Sequence, residues 1–203
     1  MSATKASSAA RERIRESLLE SSRTLAAMAE KAEDIDRFAA LVIDCLRKGG
    51  KVLAFGNGGS AADSQHFADE LVGRFERDRP ALPALALTTN TSDLTSIGND
   101  YGFERVFERQ VEAHGRAGDV LVAISTSGNS ANVLAGIEAA KRRGLTVVGL
   151  GGKTGGKMKA RVDLCLCVPS ATVARIQECH IAILQTVCGL VEEALFPEAR
   201  KAR

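Results

Sequence analysis

No run of this 203-residue sequence is apolar for long enough to cross a bilayer, so a membrane-spanning helix is not expected. The opening residues, MSATKASSAARER, lack the apolar core of a secretion signal, and a cytoplasmic protein is expected. Charge of one sign is missing too. Lys and Arg number 27 against 25 Asp and Glu, and such an interspersed balance points to neither nucleic acid nor a membrane surface. The basic residues Arg11, Arg13 and Arg15, and those from Arg200 to Arg203, read as solvated ends. The five cysteines (Cys45, Cys165, Cys167, Cys179 and Cys188) contain no C-x-x-C pair and no zinc-finger spacing, and an odd number without a framework suits a reducing compartment. Cys165 and Cys167 alternate along an apparent strand, share one face, and are expected as small core residues. There is no internal repeat and no low-complexity linker, so residues 1–203 are expected as one domain.

What is present is an alternation of two patterns. From about Ser7 to Leu46 the periodicity is helical, with Ile14, Leu18, Leu25, Met28 and Ile35 at three-, four- and seven-residue steps. A second helix is expected from about Glu33 to Lys48, stopped by Gly49-Gly50. The narrow stripe of the first helix, within residues 1–32, either packs on its own domain or joins other subunits in a helical bundle; the second is the expectation. Apolar strand-type runs follow at Val52–Phe55, Ala84–Leu87, Val120–Ile124, Val147–Leu150 and Leu164–Val168. Between and after them lie helical segments at Ser60–Phe75, Asp93–Ile97, Phe103–His114, Ser130–Arg143 and Thr172–Leu195. Strands apolar throughout and separated by helices imply an α/β fold, a parallel five-stranded sheet covered on both faces. In such sheets ligands bind beyond the carboxyl ends of the strands, where the strand order reverses. With the order 2-1-3-4-5, the loops after the first and third strands would face one crevice.

Those two loops are the polar, glycine-rich ones. Gly56-Asn57-Gly58-Gly59-Ser60 leads from a strand into a helix carrying His66 and Glu70, four residues apart and therefore on one helical face. Ser125-Thr126-Ser127-Gly128-Asn129-Ser130 sets four hydroxyls before another helix; an N-cap requires one such group, so a phosphate site is the better reading. No G-x-x-x-x-G-K-[ST] and no G-x-G-x-x-G occurs, which argues against nucleotide triphosphates and dinucleotides and for a phosphorylated small molecule. Asn99-Asp100, expected in a loop, could reach ligand hydroxyls. On the last helix Gln177 and Gln185 lie about 80° apart, whereas His180 and Gln185, about 140° apart, do not point at one atom.

The stretches GNGGSAADSQHFADELVGRF, ALTTNTSDLTSIGNDYGFERVF, GDVLVAISTSGNSANVL, GGKMKA and VARIQECHI resemble the phosphoheptose isomerases of the sugar isomerase (SIS) group, from about Glu33 to Phe196. The resemblance implies a three-layer αβα sandwich of flavodoxin-like strand order and a cytosolic homotetramer. It implies conversion of sedoheptulose 7-phosphate to glycero-manno-heptose 7-phosphate through an enediol, at the entry to ADP-heptose and bacterial surface polysaccharide. By motif, Asn57, Gly58, Gly59, Ser60, Asn99, Asp100, Ser125, Thr126, Ser127, Ser130 and Gln177 would contact substrate, with Glu70 as the base. In zinc-binding members the ligands would fall at His66, Glu70, Gln177 and position 185. There the family has a histidine that is both metal ligand and acid/base partner; this chain has Gln185, whose amide oxygen is a weak ligand and which cannot carry a proton. A related group binds the replication initiator DnaA without catalysis. This chain shares with it the loss at position 185 and a Leu195-Phe196-Pro197 ending, but keeps Glu70. An isomerase for another sugar phosphate is the third reading.

Overall fold

Five apolar runs become five parallel strands: β1 Val52–Gly56, β2 Ala84–Ala86, β3 Val120–Ser125, β4 Thr146–Gly152 and β5 Leu164–Val168. They form one sheet in the order β2-β1-β3-β4-β5, the flavodoxin-like order that the family resemblance implies. This computed structural model describes residues 2–200, with side chains from residue 7; Lys201 and Arg203 of the expected basic end lie outside the described residues. The helices are α1 Ser2–Ala29, α2 Ala32–Arg47, α3 Gly59–Val72, α4 Thr91–Tyr101, α5 Val106–His114, α6 Ala131–Arg142 and α7 Val173–Leu195. None of them is long and apolar enough to cross a membrane.

Each face of the sheet is covered, which is why β1 and β3 are buried at every position. Alternate residues serve opposite layers. Val52, Ala54 and Val122 pack with Phe38, Phe67, Leu71, Ile183, Leu184 and Val187 of α2, α3 and α7. Leu53, Phe55, Leu121 and Ala123 pack with Phe107, Val111, Val133 and Ile137 of α5 and α6, with the Phe55 and Phe107 rings stacked at 4.5 Å. The register pairs Gly56 with Ile124 and Ser125 with Gly151, so the glycine turn after β1 and the serine loop after β3 leave the sheet at one edge.

Three local expectations are corrected, and one short element is added. The helix expected at Asp93–Ile97 extends over Thr91–Tyr101, because Asn90 caps its start by accepting from the Ser92 and Asp93 amides at 3.1 and 3.3 Å. The segment Phe103–His114 divides into a 3-10 turn, Phe103–Arg105, and α5. A further 3-10 turn, Gly156–Arg161, follows β4. Cys165 and Cys167 are half-buried rather than fully enclosed, because β5 is an edge strand and this face of it lies at the margin of the core, where Cys165 still packs against the second cluster.

The N-terminal helix is tied to its own domain. The Arg175 guanidinium donates to the Ser17 carbonyl and, at 3.2 Å, to the Ser17 hydroxyl, and Thr172 donates to Glu20. Only Met28 of its apolar stripe is buried, while Ile14, Leu18, Leu19 and Leu25 face outward.

His180 of α7 is fully buried, and its Nε2 donates to the Gly151 carbonyl at 3.1 Å while Nδ1 has no partner. Burial pushes this imidazole down to about 4, the Gly151 carbonyl pulling weakly the other way. The folded protein therefore resists a proton that the unfolded chain takes up near pH 6.5, and stability falls as pH drops from there toward 4. Between pH 7 and 4.5, urea unfolding should show this one group withdrawing roughly 2–3 kcal/mol. A His180→Gln variant should lose that much less over the same interval; equal losses in both proteins would remove His180 from the acid response.

Candidate active site

The site begins where β1 meets α3. Gly56 has no room for a side chain, since a Cβ there would lie 2.6 Å from the Ser60 Cβ and 2.8 Å from the Ile124 carbonyl oxygen. Gly58 turns the chain at φ 56 and ψ −121, a conformation that favours glycine, and α3 then starts without a side-chain cap. The amides of Ser60, Ala61 and Ala62 are taken by the Asn57 and Gly58 carbonyls at 3.0, 3.0 and 3.3 Å, so an anion at this helix start would bond to the glycine turn ahead of them. Gln177 of α7 reaches over this turn; a Cβ on Gly59 would collide with its amide. The Asn57 side chain exchanges two hydrogen bonds with Asn132 of α6, at 2.8 and 2.9 Å, so its amide fastens the glycine turn to the second loop. Asn132 has no local motif to announce it.

In the second loop Ser125 is buried, accepts from the Gly128 amide at 3.1 Å, and lies 3.3 Å from the Ser130 hydroxyl. Ser130 occupies the N-cap position of α6 yet makes no side-chain cap bond, so its hydroxyl is not committed to the helix end. Ser127 accepts from the Asn129 amide at 3.2 Å, and the Thr126 carbonyl accepts from the Gly152 amide. Gly128, at φ 64, sits directly against the Gly155 carbonyl, where any Cβ would collide. Two cradles of N–H and hydroxyl groups thus stand at one sheet edge, joined by the Asn57–Asn132 pair.

His66 and Glu70 lie on the same face of α3, as their spacing requires, with His66 Nε2 3.1 Å from Glu70 Oε1. Gln185 of α7 approaches from the other side, its Nε2 3.4 Å from the same His66 nitrogen. Nε2 serves one partner at a time. As N–H it donates to Glu70, and as a bare nitrogen it accepts from Gln185. Moving one proton on His66 therefore changes which neighbour it holds, a useful property beside a base. The structure gathers three of the four expected metal residues; Gln177 instead lies over Gly59, about 12 Å farther back along α7 by helical rise.

Asp63 was not expected here. It precedes His66 by three residues and Glu70 by seven, one continuous stripe of α3, and its Oδ2 is buried without a partner. Burial pushes its carboxyl up to about 6, opposed by the nearby His66. Asn99 and Asp100 differ from expectation as well. They occupy the last turn of α4 rather than a loop, are exposed, and bond to each other at 2.7 Å.

The donor set does not fit a tightly held zinc. Among the described residues no three His, Cys, Asp or Glu side chains stand together as a metal site. His66 and Glu70 supply two strong donors, and the amides of Gln177 and Gln185 would have to complete a set for which zinc prefers imidazole, thiolate or carboxylate.

A profile of the SIS domain matches residues 18–152. Over 164 residues the chain is 60% identical to a phosphoheptose isomerase of Rhodospirillum rubrum, covering 81% of this chain and 87% of that one. It is 56% identical over 168 residues to the phosphoheptose isomerase of a Roseiflexus species, covering 83% and 85%. This chain belongs to the phosphoheptose isomerase family. The fold agrees with solved structures of phosphoheptose isomerases. The Neisseria gonorrhoeae structure matches with a TM-score of 0.85 at 49% identity, covering 90% of this chain and 98% of that one. The Francisella tularensis structure matches with a TM-score of 0.88 at 37% identity, covering 91% and 98%. In this family member the glycine turn and serine loop occupy the crevice at the strand-order reversal between β1 and β3, with the His66–Glu70 pair on the helix that follows the turn.

Proposed function

We propose that this chain interconverts sedoheptulose 7-phosphate and D-glycero-D-manno-heptose 7-phosphate, an aldose–ketose isomerisation, with Glu70 as the base. The observation that carries the assignment of Glu70 is its half-enclosed carboxylate, 17% exposed, held against His66 on the helix that leaves the anion cradle. The phosphate is held by the serine loop, through Ser125, Thr126, Ser127 and Ser130, and the sugar lies toward the glycine turn, Asn57 to Ser60, and Gln177. Glu70 takes a proton from C1 of the ketose while the carbonyl oxygen at C2 accepts one from a donor such as His66 Nε2–H, giving the enediol. Glu70 then returns its proton to C2 as the C1 hydroxyl gives up its own to the His66 Nε2 left bare by the first step, leaving the aldehyde and restoring both groups. Hydrogen-bond donors supply the stabilisation of charge on oxygen, and no step is routed through a metal. Asn99 and Asp100 would reach the sugar only if α4 presents them across the crevice, and they are its weakest candidates.

The direct test incubates the purified chain with sedoheptulose 7-phosphate and follows the aldose product by NMR. Appearance of the aldoheptose phosphate supports the assignment, and neither conversion nor binding would remove the substrate. A binding assay with the initiator DnaA accompanies it, although the retained Glu70 and the intact serine loop favour catalysis. We further propose a cytoplasmic homotetramer serving heptose-containing surface polysaccharide. Its assembly would use the outward stripe of α1 and the apolar groove of about 460 Å³ that α1, α2 and α7 form around Met28, Ile35, Ile183 and Leu190. Light scattering of the full chain tests this, with a monomer at micromolar concentration as the contrary result.

Gln185→His should restore a second imidazole opposite His66. The expected outcome is zinc affinity raised by at least about 10- to 100-fold in a competition titration, by analogy with the cost of losing even an outer partner of a metal ligand. An unchanged affinity would show that Gln185 is not what limits this site.

A further inference from the structure

The segment between β4 and β5 holds a second constellation, away from the proposed chemistry. The Cys165 and Cys167 sulfurs stand 3.6 Å apart on one face of β5, both half-exposed. A Cβ on Gly155 would lie 2.8 Å from the Cys167 sulfur, 3.0 Å from the Lys159 Cβ and 3.3 Å from the Cys165 sulfur, so only a glycine lets this turn pack closely over the two sulfurs. A tetrahedral thiophilic cation with bonds of about 2.3 Å spans two sulfurs about 3.75 Å apart. The pair already has that bite.

A disulfide is the poorer outcome for the same atoms. It needs the sulfurs at about 2.05 Å, and alternate strand positions lie about 6.6 Å apart, near the upper limit for a bridged pair. Closing it would distort β5, whereas chelation needs no movement of β5. We propose that Cys165 and Cys167, beneath the turn at Gly155, form a bidentate site for a thiophilic divalent cation of the zinc and cadmium class. Both thiols lose their protons to solvent on binding, two sulfur–metal bonds form, and water completes the coordination on the open side.

The site adjoins the serine loop. Gly155, whose missing Cβ would crowd both sulfurs, also packs through its carbonyl on Gly128. The next residues bond to that loop, Met158 N to the Gly128 carbonyl at 3.0 Å and Lys157 N to the Asn129 side chain at 3.1 Å. An ion held by the two sulfurs therefore pushes on the segment that shapes the serine loop, and loading weakens binding of the phosphorylated substrate. This second part rests on the reading of that loop as the phosphate site; the first does not.

The test titrates the full chain with cadmium alone and follows thiolate-to-cadmium charge-transfer absorption, a band that His66 and Glu70 cannot produce. One equivalent should saturate it in the parent protein and in Cys45→Ala. Cys165→Ser and Cys167→Ser should each weaken uptake by more than about 100-fold, beyond the loss that accompanies removal of an outer partner. No band, a band surviving in both serine variants, or thiols recovered as a disulfide without cadmium would each overturn the site. In kinetics, cadmium should raise KM more than it lowers kcat, and the serine variants, with parental KM in the absence of metal, should escape that rise. A KM that moves equally in parent and serine variants would place the effect at His66 and Glu70 and overturn the coupling, while the absorption result still stands for the site itself.

Discussion

Replacing Glu70 by Gln should lower kcat for sedoheptulose 7-phosphate by roughly 10²–10⁴-fold, the range expected for removal of a general base, while the affinity for the sugar phosphate stays within a few-fold. The reason lies in the geometry. Glu70 is one of two carboxylates on the α3 stripe, and the one paired with His66, at 3.1 Å. The amide keeps the shape and can still accept a hydrogen bond from His66 Nε2, but it cannot take a proton from carbon. In the proposed site the serine loop holds the phosphate, and the substitution leaves that loop alone. Kinetics combined with calorimetric binding decide the matter. Retained turnover would move the base elsewhere, and Asp63, whose carboxyl burial pushes up to about 6, would be the next candidate.

The second large effect is on folding. Glu192→Ala should cost about 3–5 kcal/mol, the usual penalty for removing one partner of a buried ion pair, and lower Tm by roughly 10 °C or more for a chain of this size. Arg79 and Glu192 are almost completely enclosed, with side chains 0% and 1% exposed and a contact of 3.0 Å. The Glu192 carboxylate also accepts from the backbone amides of Phe75, Glu76 and Arg77, each at 2.8 Å. Arg79 in turn donates to the carbonyls of Glu70, Leu71 and Gly73 and so closes the C-terminal end of α3. The pair therefore fixes the helix that carries Glu70 against the helix that carries Gln185. Burial raises the Glu192 carboxyl, but the three amides and Arg79 outweigh it and hold the group below the ordinary carboxylate range. Its stabilisation is complete above the unfolded value and is lost as pH falls through the lower folded one. A melting temperature within about 3 °C of the parent would show that the pair is dispensable.

The sheet could be read in advance because each strand is buried on both sides and so leaves an uninterrupted apolar run. The two loops could be read because glycine and serine in such density have few structural uses. The limits of local pattern show at particular residues. Asn132, Arg79 and Glu192 act through partners 75 to 117 positions away, and nothing in their neighbourhoods marks them. Asp63 did carry a signal, the three- and seven-residue steps to His66 and Glu70, which becomes visible only once α3 is known to face the crevice. Cys165 and Cys167 alternate as core residues would, yet β5 closes the sheet, and an edge strand exposes what a central strand buries. Asn99 and Asp100 fall in a helix because Asn90 starts α4 earlier and it runs on to Gly102, at φ 90. Gln185 was rightly separated from His180 on angular grounds: one faces His66, the other the Gly151 carbonyl.

The most direct measurement is isomerisation of sedoheptulose 7-phosphate in D₂O with a metal chelator present, with deuterium located by NMR in product and recovered substrate. Proton transfer by Glu70 through an enediol predicts continued conversion, with solvent deuterium at C2 of the aldose or at C1 of the ketose in the fraction of turnovers where the proton held on Glu70 exchanges with solvent before it returns. Conversion with no deuterium in either sugar, or conversion that stops when metal is removed, would contradict it.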